Sequence, residues 1–193
     1  ISACEKGGQW QKALVLLRAM PGLRVDPDRY SYNAAILATG MGGNWQLALS
    51  LFHEMTAVGL EQDRVSYNSI IDGLFERPMA LQLFFDASRK GIYPVVNPQP
   101  NIIDVHTFST GPAVIAVRCW LSRMLSRSAH TPLRVVTGWG KHWKAYGTDF
   151  ALYSGIELLL EELGLVVDRK RQGSLLARLP RSSFDAGRPR RGG

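Results

Sequence analysis

The chain has 193 residues, with 23 Lys+Arg against 16 Asp+Glu for a formal net charge of +7, and 46% of its residues are apolar. The apolar share excludes a wholly disordered chain. The short, interrupted apolar runs, such as Ile156 to Leu160, exclude a bilayer-spanning helix and with it a membrane partner. The basic excess points to an anionic partner, with nucleic acid first among them.

The chain opens on Ile1-Ser2-Ala3-Cys4, as if from within a helix, so a preceding stretch and any targeting peptide are expected to be missing. A shift of 35 residues lays the N-terminal part on itself, with 11 identities in 28 positions and no gap, among them Gly7/Gly42, Trp10/Trp45, Ala13/Ala48 and Asp28/Asp63. A third copy begins at Arg64, loses three residues near Glu76-Arg77-Pro78 and resumes at Ala80. The copies are 1–28 (partial), 29–63 (full) and 64–95 (shortened). In the full copy, one helix is predicted from about Tyr30 to Thr39. A break at Gly40 and Gly42-Gly43 follows, then a second helix from about Trp45 to Val58. Leu47, Ala48, Leu51, Phe52 and Met55 form one apolar stripe on that second helix. A hairpin this short cannot bury its stripe alone, so neighbouring copies must stack into an α-solenoid.

Residues 96–101 carry Pro98 and Pro100 and read as a linker. The pattern then changes. Ile102 to Val105 reads as a strand, Gly111 to about Ser126 as a helix with Pro112 in its first turn, and Leu133 to Thr137 as a second strand. A helix from Tyr153 to Leu163 closes on Gly164, and two strands, Val166–Arg169 and Ser174–Leu179, flank a turn at Lys170 to Gly173. The order βαβαββ over 102–180 predicts a small two-layer α/β domain. The stretch 181–193, rich in arginine and glycine, reads as a basic disordered tail. Cys4 and Cys119 stand far apart with no CxxC or Cys/His cluster, so they read as small core residues rather than metal ligands.

The 35-residue period, the Ser-Tyr-Asn start of Ser31-Tyr32-Asn33 and Ser66-Tyr67-Asn68, and the Ala48-Leu49-x-Leu51-Phe52 helix resemble the pentatricopeptide repeat over 1–95. The resemblance implies single-stranded RNA as partner, one base per repeat, read by the fifth and last residues of each copy. In the full copy these are Asn33 and Asp63, a pair that resembles the family's uridine-preferring combination. Asn68 is the fifth residue of the third copy, with Val95 closing it. Tyr30 and Val65, second in their copies, are expected to wedge against bases. Read from the residues alone, Asn33 and Asn68 serve equally well as helix caps or turn contacts.

Asp104 and His106 sit two apart at a strand end and face one side. In a βαβ unit the C-terminal ends of the parallel strands lie together, so this pair should converge with the loop Thr137-Gly138-Trp139-Gly140-Lys141-His142. Ile103-Asp104-Val105-His106, that loop and the element order resemble the small MutS-related (Smr) domain over 102–180, with Thr107 where that family has Gly. The resemblance implies nucleic-acid contact, with endonuclease activity in some members. Thr137, Gly138, Gly140, Lys141 and His142 are then candidate phosphate contacts, and Asp104 and His106 the candidate catalytic pair. A turn of glycines and a strand-end cap are the plain structural alternatives. No cofactor is implied, apart from a divalent metal for nuclease activity.

The resemblance as a whole implies an RNA-binding protein of chloroplast or mitochondrial RNA processing or stabilisation. An active endoribonuclease and a non-catalytic protein-interaction scaffold are the competing readings. Residues 1–95 hold nine Lys+Arg and nine Asp+Glu, whereas 96–193 hold fourteen against seven. The phosphate attraction is therefore expected from the C-terminal half.

Overall fold

The computed structural model describes residues 1–93, 101–124, 132–138, 149–169 and 173–180. They divide into two compact units: 1–95 with Phe108–Ile115, and 96–107 with 116–193. The predicted tail, most of the linker and the Lys170–Gln172 part of the turn lie outside the described residues.

The first unit is a run of helical hairpins: α1 (Ser2–Lys6) with α2 (Trp10–Ala19), α3 (Arg29–Met41) with α4 (Trp45–Ala57), and α5 (Arg64–Gly73) with α6 (Pro78–Arg89). The first helices of the second and third hairpins, α3 and α5, start where an aspartate stops the extended chain. The Asp28 carboxylate accepts from the Ser31 backbone N–H at 2.8 Å, and the Asp28 N–H donates to the Ser31 hydroxyl at 2.8 Å. Asp63 and Ser66 repeat this capping box at the start of α5. Capping therefore falls to the aspartates, and Asn33 and Asn68 sit one turn inside their helices. The carboxyl of Asp28 is held below the usual carboxylate range, chiefly by hydrogen bonds from the Ser31 backbone N–H and then the Ser31 hydroxyl.

The stripe on α4 packs as the spacing requires, with Ala48, Leu49, Leu51, Phe52 and Met55 buried and Leu47 only partly so. The predicted break at Gly40 does not occur, because α3 runs on to Met41. A Cβ on Gly40 would lie 2.6 Å from the Gly73 Cα, so the bare backbone lets α3 and α5 approach closely, and the helix needs no break there. Gly42 likewise leaves room for the Trp10 ring, which a Cβ would meet at 2.2 Å.

Hairpins are tied internally. The Tyr32 hydroxyl donates to Glu54 at 2.7 Å, and Arg18 of α2 pairs with the same carboxylate. The Tyr67 hydroxyl donates to Asp86 at 2.6 Å and accepts from Lys90 at 2.7 Å. Burial first, and then the Glu54 carboxylate, pushes the Tyr32 phenol up to about 12.

The second unit holds a four-stranded sheet of β1 (Ile102–Asp104), β2 (Leu133–Val136), β3 (Val166–Asp168) and β4 (Ser174–Arg178) in the order β1-β2-β4-β3. β1 and β2 run parallel, and the other pairs are antiparallel. Helix α7 (Thr110–Met124) lies between β1 and β2 in sequence, and α8 (Asp149–Glu162) between β2 and β3, so the βαβαββ order is present. Ile103, Val105, Val135, Leu175 and Ala177 are buried on one sheet face, and Leu152, Ile156 and Leu160 of α8 are buried too. The alternation is that of a sheet covered on one side.

Candidate nucleic-acid interface

In the first unit the candidate residues sit at the starts of α3 and α5. Tyr30 is 74% exposed and Val65 52%, so both second-position side chains present apolar surface to solvent. Asn33 is buried, and its side-chain oxygen has no hydrogen-bond partner among the described residues. Such a buried acceptor costs free energy until a donor reaches it. Asp63 is already engaged on both oxygens. One caps α5 through Ser66 at 3.0 Å, and the other accepts from Arg29 at 3.1 Å. Arg29 stands one helical turn before Asn33, so α3 supplies both the amide with the unpartnered oxygen and the cation that holds the carboxylate of the next helix. Asn68 differs from Asn33, because its oxygen accepts from the Tyr93 hydroxyl at 2.9 Å. Val95 lies outside the described residues.

Arg29 and Tyr93 were not among the residues singled out from the sequence. Asp-x-x-Ser recurring 35 residues apart was the available signal for the caps. Nothing local marks Tyr93, since its partner lies 25 residues away.

In the second unit, the Asp104 carboxylate accepts from His106 twice, from the backbone N–H at 3.0 Å and from ring Nδ1 at 2.6 Å. A carboxylate only accepts, so Nδ1 carries the proton in this hydrogen bond. Both side chains are about half exposed, open to a large ligand. The parallel register that sets Asp104 beside Val136 brings His106 level with Gly138 one step further on. A Cβ on Gly138, whose φ is +79°, would lie 2.8 Å from the His106 Cβ. The expected convergence of pair and loop therefore holds at Gly138.

The expected use of that loop differs. The N–H groups of Thr137 and Gly138 both donate to the Gly173 carbonyl, at 3.0 and 3.1 Å, so neither is open to a phosphate. The Thr137 side chain is 4% exposed and its hydroxyl has no partner among the described residues. Gly140, Lys141 and His142 lie outside the described residues. Among the described residues, no group of three or more His, Cys, Asp or Glu is placed to hold a metal ion, and no helix is long and apolar enough to cross a membrane.

Residues 1–25 and 30–60 match the family model of the PPR repeat. The chain is also similar to the pentatricopeptide repeat protein PPR10, solved in complex with an 18-nt psaJ RNA element, at 23% identity and a TM-score of 0.43. That alignment covers 48% of this chain and 14% of that one. PPR10 from maize gives a TM-score of 0.41 at 23% identity, with the same 48% and 14% coverage. The chain thus spans about a seventh of the length of these structures. No curated protein matches it. Period and paired helices agree with that family match over residues 1–25 and 30–60 of the amino-terminal part of the chain.

Proposed function

We propose that this chain binds single-stranded RNA, with Asn33 contacting a base, Asp63 beside it, and Tyr30 and Val65 flanking the strand. The observation that carries this reading is the buried, unpartnered side-chain oxygen of Asn33, inside a segment that matches the PPR repeat. An N–H on a base edge is the donor that such an acceptor lacks, and exposed Tyr30 offers a face for stacking. The α/β unit, with the residue order and Asp104/His106 pair that resemble the Smr domain, contributes phosphate contacts. A setting in chloroplast or mitochondrial RNA processing or stabilisation belongs to the same proposal. Titration with fluorescent single-stranded RNA tests it. Binding should prefer U-containing oligomers, weaken steeply with salt, and lose its base preference in Asn33→Ala. An Asn33→Ala protein with the wild-type preference would remove the base contact from the reading.

A second reading, cleavage of RNA, is favoured by the Asp104–His106 hydrogen bond alone. With Nδ1 held by Asp104, Nε2 would take the proton of a ribose 2′-hydroxyl while that oxygen attacks the adjacent phosphorus. The bond to the 5′-oxygen then breaks, and water returns a proton to it. The appearance of cyclic-phosphate ends with wild type, absent with His106→Ala, would establish this. Equal traces from both proteins would dismiss it.

A further inference from the structure

Asn33 and Asn68 hold the same place in successive copies, yet one side-chain oxygen is unpartnered and the other is taken. The group that takes it is fixed in place. Tyr93 is 2% exposed, stacks on Phe84 with ring centroids 5.2 Å apart, and packs on Phe108 at 4.9 Å. Its hydroxyl therefore reaches Asn68 from a ring that is not free to swing away. The full copy has no such group. Gly59 and Gly91 align the two copies there, so the counterpart of Tyr93 is Glu61, an exposed side chain whose carboxylate has no hydrogen to donate.

We infer that Tyr93 acts as an internal ligand of Asn68, closing the third copy to a base and ending base reading at Asn33. This rests on the proposal that Asn33 contacts a base. A nucleobase N–H offered to Asn68 would either share the oxygen with the tyrosine hydroxyl or displace that hydroxyl and leave it buried without a partner, and both outcomes weaken the contact. At Asn33 the same donor, once the packing over the side chain parts, meets an acceptor with no partner among the described residues. Tyr93 is thus a specificity-determining residue that never touches the RNA, and it sets where the reading stops.

The test is anisotropy titration of the full chain with ten-nucleotide oligo-U and oligo-C RNAs. Asn33→Ala should lower the U-over-C preference by about three- to tenfold, the value of one hydrogen bond. Asn68→Ala should leave it within about twofold, on the same scale. Tyr93→Phe keeps the ring and removes the donor. It should raise affinity for oligo-U by roughly threefold, again one hydrogen bond's worth, and adding Asn68→Ala should cancel the gain. The inference is overturned if Asn68→Ala costs as much preference as Asn33→Ala, or if Tyr93→Phe leaves oligo-U affinity unchanged. Denaturant unfolding of the wild type, both single variants and the double variant separates the two failures. Non-additive midpoint shifts are expected from the pair, and additive shifts would overturn the pairing itself. A wild type that binds neither oligomer while the shifts stay non-additive would overturn the base-reading proposal, and this inference with it.

Discussion

Asp72, near the end of α5, shows how one residue's chemistry is set by its neighbours. Its carboxylate accepts from the Gly111 N–H at 2.7 Å, at the start of α7, so a residue 39 positions away caps that helix. Burial pushes the carboxyl up to about 6 from 3.8, with the Ser109 hydroxyl and the Gly111 N–H pulling it partly back. The native state thus holds this proton more tightly than the unfolded chain does. Its contribution to stability is complete below the unfolded value and is lost as pH rises through about 6. Asp28, Glu54 and Asp86 behave oppositely. Their carboxyls are held low by hydrogen bonds from Ser31, Arg18 and Tyr67, so their contribution is lost as pH falls. Asp72→Asn keeps an acceptor for Gly111 and cannot ionise. Its melting temperature should exceed the wild type's most at pH 7, and the gap should close toward pH 4. A gap that does not change with pH would show that Asp72 does not titrate in this window. Nothing in the sequence marked this residue, whereas Asp28 and Asp63 were legible as caps from the serine three positions on. The difference is that a cap partner is local and Asp72's partner is not.

At the scale of elements, the hairpins follow from short-range patterns, and their closest approach follows from a missing atom. The α3–α5 contact depends on glycine at 40 and at 73, since a methyl group on Gly40 would overlap the Gly73 backbone. Gly40→Ala should destabilise by about 1–3 kcal/mol, as overpacking against backbone does. Gly22→Ala meets nothing within 4 Å and should fall within about 0.5 kcal/mol of wild type. Urea unfolding of the two variants measures the contrast, and equal midpoints would show that α3 and α5 can part without cost. The tyrosine–carboxylate ties also recur by element. Glu54 and Asp86 occupy equivalent places once the three-residue loss in the third copy is counted, so the shortened hairpin keeps its internal hydrogen bond. The helix end read from the glycines holds at Gly42-Gly43 but not at Gly40, because glycine weakens an isolated helix, while here the packing that Gly40 allows compensates.

For the whole molecule, charge and the proposed base contact sit in different parts of the chain. The first 95 residues are neutral in sum, while the remainder carries the +7. Register places Arg134 and Arg178 on the sheet face that bears Asp104, away from the buried side. With the Thr137 and Gly138 N–H groups spent on Gly173, we propose these arginines as the phosphate contacts. Arg134→Gln and Arg178→Gln should each reduce the salt slope of RNA binding by about one, leaving the U-over-C preference intact. An unchanged slope in the double variant would move the phosphate contacts elsewhere. The sequence by itself determined the repeat period, the helical hairpins, the βαβαββ order and the Asp104–His106 pairing. Each of these depends on residues close together or on a pattern that repeats. Only the tertiary structure decided that the Asn33 oxygen stays without a partner among the described residues while that of Asn68 is bonded to Tyr93, and that α3 runs through Gly40. It also decided that the backbone of Thr137 and Gly138 is already bonded. Those outcomes are set by partners distant in the chain, and identical residues at identical repeat positions acquire different chemistry when different neighbours reach them.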